Sequence, residues 1–210
     1  MSVSIPLTDV GEEQRALVGG KGFALSVMVR EGLPVPPGIC VTTEAYRNYV
    51  KNTGLRVKII RELNRKRFED MRWEEIWDTA LRIRNLFLRM AMPEELAFTL
   101  KHDLWAFLGE RAVAVRSSAP GEDSSKTSFA GLHESYLNIH GIDALLEHIR
   151  LVWASLWSDA ALLYRRELGL DVEKSAMAVV VQEIIPGNRS GVAFGVNPNN
   201  RTGELSVQDI

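Results

Sequence analysis

The feature that most constrains this chain is a change of hydrophobic period at Ala112. From about residue 55 to 108 the apolar positions recur at helical spacing. Trp73, Ile76, Trp77, Ala80, Ile83 and Phe87 form one stripe, and Leu96, Leu100, Leu104 and Phe107 form another. Pro93-Glu94-Glu95 supplies a helical first turn, because proline there loses no bond and the acids suit the positive helix end. Gly109 closes the segment. Past it, Ala112-Val113-Ala114-Val115 reads as a strand that runs into Arg116-Ser117-Ser118. A helix-rich part (about 1–110) therefore precedes a mixed part (about 111–210), which is the α+β class.

The other segments fill in this outline. Ile39-Cys40-Val41 reads as a short buried strand, after the stiff connection Pro34-Val35-Pro36-Pro37-Gly38. Thr42 or Thr43 can cap a helix through Tyr46 and Tyr49. Tyr136–Ile139 reads as a strand. The apolar stripe Ile142, Leu145, Leu146, Ile149, Val152, Trp153 and Leu156 is the clearest helix, and another follows from about Asp159 to Leu168. Ala178–Gln182 and Gly191–Val196 read as strands, and one more begins at Glu204.

Composition excludes several classes. With 25 Lys and Arg against 27 Asp and Glu, a net charge of −2 gives no pull toward nucleic acid or an anionic membrane. No run approaches a membrane span, and the N-terminus lacks the basic head and apolar run of a secretory signal. A single cysteine, Cys40, rules out an internal disulfide and points to a reducing, cytoplasmic compartment. It follows a buried-looking Ile39 and reads as a core thiol rather than a nucleophile. The four histidines show no metal-ligand spacing. The basic run Arg61, Arg65, Lys66, Arg67 is interleaved with Glu62 and Glu69 and reads as a solvated helix face.

Four segments can carry chemistry. Gly19-Gly20-Lys21-Gly22 precedes an apolar helical pattern. It reads either as a turn whose amides and Lys21 face an anion, or as a flexible turn into an exposed helix; it is not a Walker loop. Arg116 at a strand end offers planar donors that match phosphate oxygens, against the alternative of a carboxylate pair. The polar loop 119–131 reads either as a lid or as a disordered connection. Gln182-Glu183-Ile184-Ile185-Pro186-Gly187, where a strand opens into an amide and a carboxylate, suits a purine edge, or is a strand that ends in a turn.

Taken in order, Gly19–Gly22, Gly32-Leu33-Pro34-Val35-Pro36-Pro37-Gly38, Val115–Ser118, Ser128-Phe129-Ala130-Gly131, Gln182-Glu183 and Ser190–Phe194 resemble one family. It is the N-terminal ATP-binding domain shared by phosphoenolpyruvate synthase, pyruvate phosphate dikinase and rifampicin phosphotransferase. The resemblance implies an ATP-grasp fold holding ATP between two α+β lobes. It also implies phosphoryl transfer from ATP to a histidine on a separate carrier domain, expected on the same full-length chain, and then to pyruvate. The alternatives are a rifampicin phosphotransferase-like enzyme, or a truncated, non-catalytic nucleotide-binding or interaction module. Carried over, Lys21 and Arg116 hold phosphates, with Arg116 also catalytic. Gly131 and its loop close over the phosphates, and Gln182, Glu183 and the backbone at Ile185 meet adenine. Residues 1–210 are then a C-terminally incomplete ATP domain. Magnesium ligands are expected beyond residue 210, and no complete turnover is expected from these 210 residues alone.

Overall fold

A computed structural model of the chain describes residues 2–120, 123–124, 127–128, 133–187, 191–194 and 206–209. In chain order the elements are β1 (Ser4–Pro6), α1 (Arg15–Arg30), β2 (Gly38–Val41), α2 (Thr43–Asn52), α3 (Leu55–Leu63), α4 (Trp73–Arg89) and α5 (Glu94–Leu108). Then come β3 (Val113–Ser118), β4 (Asp123–Ser124), β5 (Thr127–Ser128), β6 (Ser135–Ile139), α6 (Ile142–Ser155), α7 (Asp159–Glu167), β7 (Ala178–Glu183), β8 (Gly191–Phe194) and β9 (Ser206–Asp209). The α+β expectation holds. Residues 195, 196, 204 and 205 of the expected strands lie outside the described residues.

Five strands form one antiparallel sheet in the order β1-β2-β7-β3-β6. Strand alternation gives it two different faces. On one face Ile39, Val41, Val113, Val115, Val179 and Val181 enter the main core beneath the helices. Tyr46, Tyr49, Phe87 and Trp153 form an aromatic cluster there, with ring centroids 5.2–6.3 Å apart. On the other face Ile5, Cys40 and Val180 join Val18 and Phe23 of α1 in a smaller core. The registers place Ile5, Cys40, Val180, Arg116 and Ser135 in one row across the sheet. That row is apolar where α1 covers it and polar from Arg116 onward. Burial pushes the Cys40 thiol up to about 12, which keeps it protonated as a core group.

The local signals explain most boundaries. Thr42 Oγ1 accepts from the Ala45 amide (3.3 Å) at the start of α2 and donates to the Ser2 carbonyl (3.0 Å), so one hydroxyl caps a helix and ties down the N-terminal strand. Thr42→Val keeps the shape and loses both bonds. Urea denaturation is expected to show a loss of about 1–2 kcal/mol, and an unchanged midpoint would deny the cap its role. On α4 the expected stripe is narrower than its sequence pattern. Ile76, Ala80, Ile83 and Phe87 are buried, but Trp73 and Trp77 are 58% and 49% exposed. Trp77 lies about 100° around the helix from Ile76, and Trp73 starts the helix a turn before the stripe. The run from Arg61 to Arg67 is solvated as expected, with ion pairs Arg65–Glu62 (2.8 Å) and Lys66–Glu75 (2.8 Å). The strand β1 was not legible, because three residues ending in proline show no alternation.

Candidate functional site

The glycine segment punctuates the chain ahead of a helical stretch, as expected: α1 is two helical stretches joined at a kink, the backbone leaves helical geometry at Gly19 (φ 73°, ψ 179°), and the second stretch runs on to Arg30. The break lets α1 press on the end of β3. The Gly20 amide donates to the Ala119 carbonyl (3.1 Å), and the Gly22 amide donates to Ser118 Oγ (3.0 Å), which itself donates to the Val18 carbonyl (2.6 Å). A Cβ on Gly19 would lie 2.2 Å from the Ser118 carbonyl oxygen, and one on Gly22 would lie 2.7 Å from Cys40 Sγ. The glycines are therefore required for close approach. Two of their amides bond the end of the strand rather than an anion.

This joint sets Lys21 beside the strand that carries Arg116. Ser118 is two residues beyond Arg116 and so on the same face. Arg116 pairs with Val180 on β7 and with Ser135 on β6. Gln182 shares that face as well: it pairs with Ala114, which makes it the diagonal neighbour of Arg116, about 7–8 Å away in such a ladder. Its Nε2 donates to the Pro36 carbonyl (3.0 Å), which directs Oε1 away as an acceptor. Arg116 and Gln182 thus share the α1 face, and the main chain on either side of Lys21 is bonded to the end of their sheet at Ser118 and Ala119. Glu183 is not with them. It alternates to the helical face, and Arg111 Nη1 donates to its carboxylate at 3.0 Å. Its amide donates to the Pro37 carbonyl (2.9 Å). Ile185 follows the strand with an exposed side chain. Gly131 lies outside the described residues, as does most of the loop 119–131.

Sequence reasoning missed two groups behind the site. His133 lies two residues before Ser135, with Nδ1 3.4 Å from the Ser155 carbonyl. Burial holds it down to about 4, and the charges of Arg165 and then Lys21 push the same way. Arg165 is 4% exposed and donates from Nη1 to the carbonyls of Leu156 (2.6 Å) and Ala161 (3.4 Å). Burial lowers it to about 10. An arginine on an amphipathic helix gives no sign in sequence that it turns inward. His133 shares no spacing with another histidine. Among the described residues no group of three or more His, Cys, Asp or Glu is placed to hold a metal ion.

The sequence that builds this site has relatives among known proteins. Residues 15–209 match the family model described as pyruvate phosphate dikinase, AMP/ATP-binding domain. The chain belongs to that family. Among curated relatives, it is 40% identical over 198 residues to the phosphoenolpyruvate synthase of Aeropyrum pernix, covering 91% of this chain and 24% of that protein. It is 42% identical over 202 residues to the rifampicin phosphotransferase of Streptomyces sviceus, covering 94% and 23%. The probable phosphoenolpyruvate synthase of Methanocaldococcus jannaschii is 37% identical over 197 residues, covering 91% and 16%. The chain thus spans a quarter or less of the length of these relatives. No helix among the described residues is long and apolar enough to cross a membrane.

Proposed function

We propose that this chain is the ATP-binding portion of a phosphoenolpyruvate synthase-like phosphotransferase, of the ATP-grasp type. It holds Mg-ATP while a phosphoryl group passes to a carrier histidine on another domain of the same longer polypeptide, and from there to pyruvate. Lys21 and Arg116 neutralise phosphate charge, and Gly131 with its loop closes over the phosphates. Gln182 offers Oε1 to the adenine amine, while Glu183 and Ile185 serve through their main chains, because the Glu183 carboxylate is engaged by Arg111. The chemistry asks the protein mainly for positioning and charge. A cytoplasmic setting fits the single buried cysteine.

The observation that supports this reading is the α1–β3 joint, which bonds the main chain flanking Lys21 to the end of the strand that carries Arg116, in a sheet row that ends in a half-buried Arg116 and an exposed Ser135. Rifampicin phosphotransferase-like activity is the second reading, favoured by the 42% identity to the Streptomyces protein. The two readings share the ATP end and differ only in the acceptor.

Calorimetric titration with Mg-ATP tests the shared part, on the longest polypeptide that the reading frame encodes. Arg116→Ala is expected to weaken binding at least about tenfold (1.4 kcal/mol), since a charged partner of phosphate is lost. A folded Arg116→Ala protein that binds Mg-ATP normally refutes the assignment. Offering pyruvate or rifampicin as acceptor then separates the two readings.

A further inference from the structure

A cavity of about 440 Å³ opens on the helical side of the sheet, between α2, α3 and residues 173–175. Its wall includes Tyr46, Val50, Ile59 and Trp157, all members of the main core. Arg116 and Gln182 belong to the opposite face, so this cavity is separate from the site described above. Trp157 Nε1 donates to Tyr46 Oη (3.0 Å). The polar atoms of the two aromatic residues therefore satisfy each other; both rings are buried, and the half-buried Ile60 carries most of the apolar surface left open in the wall.

The rim has the opposite character. Arg47, Lys51, Arg56 and Lys174 line it against one carboxylate, Glu173. Arg47 pairs with Glu44 (2.5 Å) and Lys174 with Asp171 (2.9 Å). Lys51 and Arg56 have no ion pair among the described residues. With Glu44 and Asp171 counted beside Glu173, four cations face three carboxylates, so the rim keeps a surplus of one positive charge, carried by the unpaired Lys51 and Arg56. A second cavity of about 250 Å³ shares Arg47, Lys174 and Ser175 and runs on to Pro120, past the end of β3.

We propose that this cavity is a second ligand site, for a small organic phosphate with an aromatic or apolar body. The floor takes the body, and Lys51 and Arg56 take the phosphate. Volumes of 300–1,000 Å³ are usual for such ligands, and charge-assisted bonds to phosphate are the strong polar contacts available.

The test uses 1-naphthyl phosphate as probe, titrated by calorimetry into the 210-residue chain. Saturable binding is expected, weakened at least about tenfold in the Lys51→Ala/Arg56→Ala variant. That variant should keep its fold, because both residues are exposed. Inorganic phosphate and 1-naphthol should each bind at least about tenfold more weakly than the probe, and Arg116→Ala should bind the probe as the unaltered chain does. The proposal is overturned if the probe does not saturate, or if the double variant binds it equally well. It also fails if inorganic phosphate matches the probe, or if binding is lost in Arg116→Ala, which would place the probe in the nucleotide site.

Discussion

Gly19→Ala should destabilise the chain by about 3–5 kcal/mol, far beyond the usual cost of an exposed glycine change. Two effects add. The backbone at φ 73° and ψ 179° lies in a region that L side chains avoid, worth about 1–3 kcal/mol. The new methyl would also lie 2.2 Å from the Ser118 carbonyl oxygen, a main-chain atom that can yield only if α1 lifts from β3. Lifting it breaks the Gly20–Ala119 and Gly22–Ser118 hydrogen bonds, each worth about 1 kcal/mol. Gly32→Ala is the control. It too has a positive φ, 75°, but nothing lies within 4 Å of its added Cβ, so only the backbone penalty of about 1–2 kcal/mol applies. Urea denaturation of both variants separates strain from collision. If the two changes cost the same to within about 1 kcal/mol, the close approach of α1 to β3 is not what the glycines serve.

The same joint marks how far the sequence could be read. Periodicity found α6 and most of α4, and the β-branched run found β7, because burial on one face imposes a repeat that the chain cannot hide. The family resemblance was carried by short segments in order, and the match over residues 15–209 bears it out. Within those segments the residue types were legible and their partners were not. Gly19-Gly20 left an anion-facing turn and a flexible turn both open, because loose amides and strand-bound amides have the same sequence. Only the register of Ser118 against α1 tells them apart. Gln182 and Glu183 looked like a pair, yet strand alternation must send adjacent side chains to opposite faces, and Arg111 waits on the far one. The half-exposed Trp73 and Trp77 show the converse error, in which apolar residues near a stripe were read as part of it. His133 and Arg165 left no trace, since what distinguishes them is burial by residues distant in sequence.

His133 gives the second large effect. It should make the chain acid-sensitive over a range where carboxylates are still mostly ionised. In the fold its imidazole is held at about 4, against 6.5 for the free group, first by burial and then by the cations of Arg165 and Lys21. Above pH 6.5 it is neutral in both states and contributes no pH dependence. Between 6.5 and 4 the unfolded chain takes up a proton that the fold refuses, so the unfolded state gains and stability falls as the pH falls. The whole window amounts to about 3 kcal/mol, of which about 2 kcal/mol is spent by pH 5. His133→Gln cannot titrate. Although it should be somewhat less stable at pH 7 for lost packing, its further loss between pH 7 and pH 5 should be smaller than that of the unaltered chain by about 2 kcal/mol. Equal losses in urea titrations at the two pH values would mean that His133 is not held neutral by its surroundings. A triphosphate bound at Lys21 would offset part of the positive potential that His133 feels, so saturating Mg-ATP should shrink the acid loss of the unaltered chain and leave that of His133→Gln unaffected. This second comparison connects the stability measurement to the proposed site, because it requires that nucleotide, Lys21 and His133 share one field.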